Sequence, residues 1–259
     1  MGKSKIDRTG EKNINNFGSE MVIVDYRGAL DMDVYFPEYN WIAKNKRYEH
    51  FRNGEIKCPY DRSVYGIGYI GEGRYKSKTK GKLTRVYSTW YQMLERCYDP
   101  KCQEKRPTYI DCKVCNEWHN FQNFAEWCYK NYYTIKGEQM CLDKDILLKG
   151  NKIYSPETCI FVPKRINSLF TKSDKSRGNS VIGTSPKNGK YVVHCNLINP
   201  KTGKSKQKNL GHYDTELEAF EIYKYYKERN IKMVADYYEE QIPINLYNAL
   251  YEYEVEITD

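Results

Sequence analysis

A chain of 259 residues has room for two or three small domains. Its 42 Lys and Arg against 34 Asp and Glu leave a net charge of +8, which favours a polyanionic partner without requiring one. No stretch approaches the ~20 apolar residues of a membrane span. The opening Met1-Gly2-Lys3-Ser4-Lys5 has no apolar run of a secretory signal, so a cytoplasmic protein without a membrane partner is expected. Twenty-six tyrosines suit thin, half-buried cores and base stacking alike.

In chain order, residues 1–18 are polar and rich in Gly and Asn, and are expected to be a mobile N-terminus. Residues 19–72 change character. Met21 to Tyr26 is rich in β-formers, Asp31 to Phe36 alternates with period two, and Gly, Pro and Asn punctuate the stretch from there to Tyr69. The pattern predicts a small β module. Residues 73–86 hold Arg74, Lys76, Lys78, Lys80, Lys82 and Arg85 with no acid, which reads as a basic linker. A solvated connection and a phosphate-contacting strap both fit it; in the second case the contacts are Lys76, Lys78, Lys80, Lys82 and Arg85.

From residue 87 a helical lead-in is expected. Ser88 can cap a helix over 88–98 with Trp90, Met93, Leu94 and Cys97 at helical spacing. A second helix over 120–132 carries Phe121, Phe124, Ala125 and Cys128 on one stripe. A ββα unit should come after it: a strand over Met140 to Ile146, a Gly150-Asn151 turn, a strand over Cys159 to Val162, and a helix from Pro163 to Phe170. Cys112 and Cys115 form the one close cysteine pair among nine, a candidate half-site for zinc with Cys97, Cys102, His119, Cys141 or Cys159. Packing of small thiols in a reducing compartment explains them equally well.

The arrangement Tyr109, Cys112, Cys115 and Trp118, then Leu142-Asp143-Lys144-Asp145, Gly150-Asn151, Tyr154-Ser155-Pro156, Cys159 and Asn167 resembles bacteriophage-type HNH endonuclease-like proteins over residues 87–170. That resemblance implies a phage-encoded protein acting in a bacterial cell, with a ββα core. In such a core Asp143 and Asn167 hold a divalent ion, Mg or Mn, against a phosphate, and a strand histidine activates water. Here Lys144 stands at the histidine position. A lysine near its reference pKa of about 10.4 cannot accept a proton at neutral pH, though it can bind a phosphate. Asp145 shares the strand, Asn151 can pin the turn, and Thr158 replaces the Asn usual before Cys159. The catalytic candidates are therefore Asp143, Lys144, Asp145, Asn151 and Asn167. The 19–72 module resembles the short β modules that precede such cores.

Residues 171–179 read as a polar linker, and 180–259 as a further domain. Val181 to Thr184, Lys190 to Leu197 and Gln207 to Gly211 predict three strands, and Thr215 with Glu218 is a capping box opening a helix. Short helices are expected over 231–241 and 244–252. The order of three strands, Leu210-Gly211-x-Tyr213-x-Thr215 and a helix resembles the AP2 DNA-binding domain, whose sheet enters the major groove. If Tyr191, Val193, Cys195 and Leu197 pack on the helix, then strand parity turns His194, Asn196, Gln207 and Asn209 outward with Lys190. Lys187 joins this expected DNA-binding set. Lys206 and Lys208 take the inward parity and must snorkel unless a bulge shifts the register.

The fold class expected is α+β: β module, ββα core and AP2-like three-stranded sheet with a helix. The function expected is double-stranded DNA binding with metal-dependent, homing-type endonuclease activity. The alternatives are a non-catalytic DNA-binding regulator and a module binding a host protein.

Overall fold

The computed structural model describes residues 6–171 and 180–259, and its architecture is α+β. Residues 172–179 of the expected linker, and the first five of the expected mobile N-terminus, lie outside the described residues. The chain divides into two compact units, Met1–Lys130 and Asn131–Asp259. The division falls inside the 87–170 stretch. No described helix is long and apolar enough to cross a membrane.

The first unit opens with an antiparallel meander of β1 (Lys12–Ile14), β2 (Glu20–Gly28), β3 (Asp31–Phe36) and β4 (Trp41–Lys46). Alternation along β3 buries Met32, Val34 and Phe36 against Met21 and Ile23 of β2 and Phe51 of α1 (Tyr48–Arg52). Residues 12–14, expected to be mobile, instead pair with β2 in the register Lys12↔Val22 to Ile14↔Glu20. Three residues are too few to show a period, so this pairing is settled by the partner strand. It is locked by a buried polar node: Asp61 accepts from Asn15 Nδ2 at 2.9 Å, Ser19 Oγ at 2.7 Å and Cys58 N at 2.7 Å. A buried carboxylate is tolerated when donors surround it in this way.

The basic segment is an ordered hairpin rather than a flexible strap. β5 (Lys78–Thr79) and β6 (Lys82–Leu83) pair across Lys80 and Gly81, both at positive φ (49° and 76°), the signature of a type I′ turn. Its base is fixed by the buried Gln122 amide, which accepts from Tyr75 N at 3.0 Å and donates to Tyr75 O at 3.0 Å. A Cβ at Gly73 would come within 2.3 Å of Gln122 Oε1, so this close approach needs glycine.

The hairpin feeds directly into α2 (Arg85–Tyr98), whose N-cap is Thr84 rather than Ser88; the Thr84 hydroxyl accepts from Tyr87 N at 3.2 Å. Trp90, Met93, Leu94 and Cys97 are buried on one stripe, as their spacing predicts. After α3 (Pro100–Lys105) and β7 (Lys113–Val114), α4 (Phe121–Asn131) buries Phe121, Phe124, Ala125 and Cys128.

In the second unit β8 (Met140–Asp143) pairs antiparallel with β10 (Ile160–Pro163), and α5 (Lys164–Leu169) comes directly after; β9 (Ile153–Tyr154) lies on the connection between the two strands. A second sheet is built in the order β11 (Thr184–Lys187), β12 (Lys190–Ile198), β13 (Ser205–Tyr213). The capping box is present: Glu218 N donates to Thr215 Oγ1 and Thr215 N to Glu218 Oε2, each at 3.2 Å. It opens α6 (Glu216–Tyr238), which runs unbroken where a second helix was expected from 231. No Gly or Pro interrupts it, and Asn230 does not cap a new helix. Buried Asn230 instead acts as a surrogate strand, accepting from Ile198 N and donating to Ile198 O, both at 2.9 Å. α7 (Ile244–Tyr251) closes the helical part.

α6 serves two cores. Its first turns place Ala219, Phe220 and Tyr223 on Val193 and Cys195 of the sheet. Its last turns place Ile231, Val234, Ala235 and Tyr238 with Val162 and Ile166 of the β8–β10–α5 unit. Each fully buried aliphatic side chain contributes about 1.5–3 kcal/mol, so one helix joins what the sequence reads as two modules.

Candidate nucleic-acid interface

The loop after β8 bonds much of its polar chemistry to itself. Asp143 Oδ1 accepts from Asp145 N at 3.0 Å and Ile146 N at 2.8 Å. Burial, and then the nearby Asp145 carboxylate, push the Asp143 carboxyl up to about 6. Lys144 is buried at 7% exposure; its ammonium donates to Asp145 Oδ2 and to Asn151 O, both at 2.9 Å, and sits 5.9 Å from the Tyr154 ring centroid. Asn151 pins the turn from within, donating to Lys144 O at 2.6 Å and Ile153 O at 2.7 Å. Lys144 therefore clasps its own loop. Four of the five catalytic candidates are brought together, but as a self-satisfied turn.

Asn167 sits half-buried on α5, where its backbone carbonyl accepts from Phe170 N at 3.2 Å; among the described residues no side-chain hydrogen bond joins it to Asp143. One Asp143 oxygen is thus committed to two backbone amides, and the Lys144 ammonium is held by Asp145 and Asn151. Cys112 is buried with its Sγ 3.7 Å from Thr108 O, and Cys115 is half-buried at the start of a 3-10 turn (Asn116–His119). His119 lies with Nε2 3.1 Å from Val114 O, and burial lowers its pKa, favouring the neutral ring. Among the described residues, no three His, Cys, Asp or Glu side chains gather as a metal site would require.

The three-stranded sheet does the opposite. Register pairs His194 with Asn209, Asn196 with Gln207 and Lys187 with Lys190, so each pair shares one face. That face is turned away from α6, because Val193 and Cys195 take the helix side. Lys187, Lys190, Asn196, Gln207 and Asn209 are exposed and His194 is half-buried. Lys190 pairs with Asp214 at 2.9 Å, but both are well exposed and the pair contributes little.

A bulge where Val193↔Gly211 gives way to His194↔Asn209 leaves Leu210 unpaired and flips parity beyond it. It is stabilised by Gly211 N donating to Asn209 Oδ1 at 2.9 Å, and Gly211 takes φ 121°, which favours glycine. His212, opposite Val192, consequently joins the outward face. Sequence parity hides His212; the glycine inside a strand is the signal that could have found it. Lys206 and Lys208 do take the helix side, opposite Leu197 and Cys195, and Lys208 snorkels to within 5.4 Å of the Tyr226 ring centroid. The face is bounded at its far end, where Ile198 is buried in the core of the β8–β10–α5 unit.

On the first unit, the hairpin projects Lys76, Lys78, Lys80, Lys82 and Arg85, all exposed. The four lysines have no carboxylate partner among the described residues. Comparison with protein-family models, curated proteins and solved structures finds no match to this chain.

Proposed function

We propose that this protein binds double-stranded DNA through the outward face of β12 and β13 and does not depend on strand cleavage for its role. The observation that carries the reading is the directly paired Asn196 and Gln207, both exposed, on a face whose other end offers Lys187 and Lys190. Carboxamides can pair bidentately with adenine edges in the major groove, while lysines hold phosphates. The order of three strands, bulge and capped helix supports the AP2-like reading, and the exposed lysine hairpin supplies a second phosphate-contacting element of β-ribbon type. The strand–strand–helix order of β8, β10 and α5 supports reading this part as an HNH-like scaffold, while Lys144 and Asn151 are spent on the loop itself.

A gel-shift series on a duplex library tests this. Asn196→Ala with Gln207→Ala should lower duplex affinity about tenfold, the scale of one good base pairing. No duplex binding at low salt sinks the proposal. A plasmid-nicking assay with Mg²⁺ and Mn²⁺ tests the second half: strong nicking that is lost in Asp143→Ala would restore the endonuclease reading.

A further inference from the structure

On the helix side of the same sheet, between the β12–β13 turn and the last turns of α6, lies a groove of about 990 Å³. Its floor is mainly aliphatic, built from Leu197, Pro200 and Met233, with Tyr237 at one end. Met233 and Tyr237 lie one helical turn apart and stay 46% and 41% exposed. The rim carries Lys201, Lys204, Lys206 and Lys208, none of which has a carboxylate partner among the described residues. The carboxylate among the lining residues, Asp236, is occupied by the hydroxyls of Tyr247 (3.3 Å) and Tyr251.

β13 is also an edge strand: the order β11-β12-β13 leaves its outer side without a neighbour among the described residues. Lysines on an edge strand guard against unwanted pairing, but that role does not require an apolar floor beside them. Free backbone groups, unpaired positive charge and exposed apolar surface in one place call for a ligand that supplies all three complements.

We propose that the groove takes an acidic, apolar-containing segment of a partner protein, laid extended along β13. Its apolar side chains would cover Met233 and Tyr237, and its carboxylates would meet the four lysines. The floor favours a peptide over a nucleic-acid strand. Bases need exposed rings to stack on, and the floor offers only Tyr237, since the Tyr226 ring already carries the Lys208 ammonium. The proposal does not rest on duplex binding, because the carboxamide pair lies on the opposite face.

The test is fluorescence anisotropy of the full chain with a labelled peptide alternating Asp and Leu around a central Phe, beside an all-Asp peptide of equal charge and an oligothymidylate. Saturable binding of the first peptide is expected. Lys206→Glu with Lys208→Glu, and separately Met233→Gln, should each weaken it about tenfold or more, with circular dichroism and Tm unchanged because all three side chains are exposed. Absence of saturable binding, equal binding of the all-Asp peptide, or indifference to either variant overturns the proposal. Displacement of the peptide by oligothymidylate at lower concentration would overturn it too, and would assign the groove to single-stranded nucleic acid.

Discussion

The loop at residues 143–151 and the outward face of β12 and β13 draw on the same residue types and treat them in opposite ways. In the loop, Asp143, Lys144 and Asn151 bond to the loop's own backbone, so their polarity is consumed in holding a turn. On the sheet, Asn196 and Gln207 are held by strand register alone, and their amides stay in solvent. A polar side chain that satisfies its own fold has little left to offer a ligand. The contrast separates side chains spent on a turn from side chains left free for the proposed contact, inside one compact unit.

The contrast can be broken most sharply on β12 itself. Val193 is fully buried against α6, so Val193→Asp should cost more than about 4 kcal/mol or prevent folding of the second unit, by burying an unpaired charge. Asn196→Asp, on the other face, should stay within about 0.5 kcal/mol. Equal effects in thermal melts would mean the strand's faces are wrongly assigned.

A lysine taken from the loop should have a middling effect. Lys144→Ala should cost about 2–3 kcal/mol in urea unfolding, because the Asn151 carbonyl is deprived of its donor and the buried stem leaves a void. Lys206→Ala, exposed on β13, is the control and should be nearly silent. If Lys144→Ala is equally silent, the lysine is not a clasp.

Asp143 gives a smaller effect with a definite sign. Burial pushes its carboxyl up to about 6, above the ordinary carboxylate value of 3.8, so the folded chain holds the proton more tightly through that window. The stability this contributes is full below about 4 and is lost as pH rises through about 6. Asp143→Asn keeps an oxygen for the two amides and removes the charge. It should be about 1 kcal/mol more stable than the parent at pH 7.5, with the gain vanishing at pH 4. A variant that is less stable at both values would show that the carboxylate is held ionised.

The smallest effect on stability belongs to the hairpin. Replacing Lys78, Lys80 and Lys82 with Ala should leave the Tm essentially unchanged, while the slope of log K against log salt becomes shallower by about 0.9 for each phosphate the hairpin no longer neutralises. An unaltered slope would remove the hairpin from the interface.

Much of the local structure is legible in the residues. The helical stripes of α2 and α4, the strands of the β8–β10 pair, the capping box and the parity of β12 all arise from period and cap chemistry, which act over a few neighbours. The type I′ hairpin is not legible because Lys80 is an unusual residue at positive φ, and β1 is not because its three residues are too few to show a period. At the site, the outward position of Asn196 and Gln207 is legible, since register with period two needs only the buried Val193 and Cys195 as reference.

The type and facing of the longer periodic elements were therefore determined by the sequence alone: striped helix, capped helix, alternating strand. Where polar groups are spent was decided only by the tertiary structure. Lys144 turns inward because Asn151 O and Asp145 Oδ2 come within 2.9 Å of its ammonium once the loop closes. Asn230 leaves helix-capping chemistry aside because the open edge of Ile198 lies beside it. α6 runs through two cores because each offers apolar surface to a different stretch of it. Such choices depend on distances that no residue period encodes, whether across one loop or between elements far apart in the chain, and the hydrogen bond or apolar packing that closes over them exists only after folding.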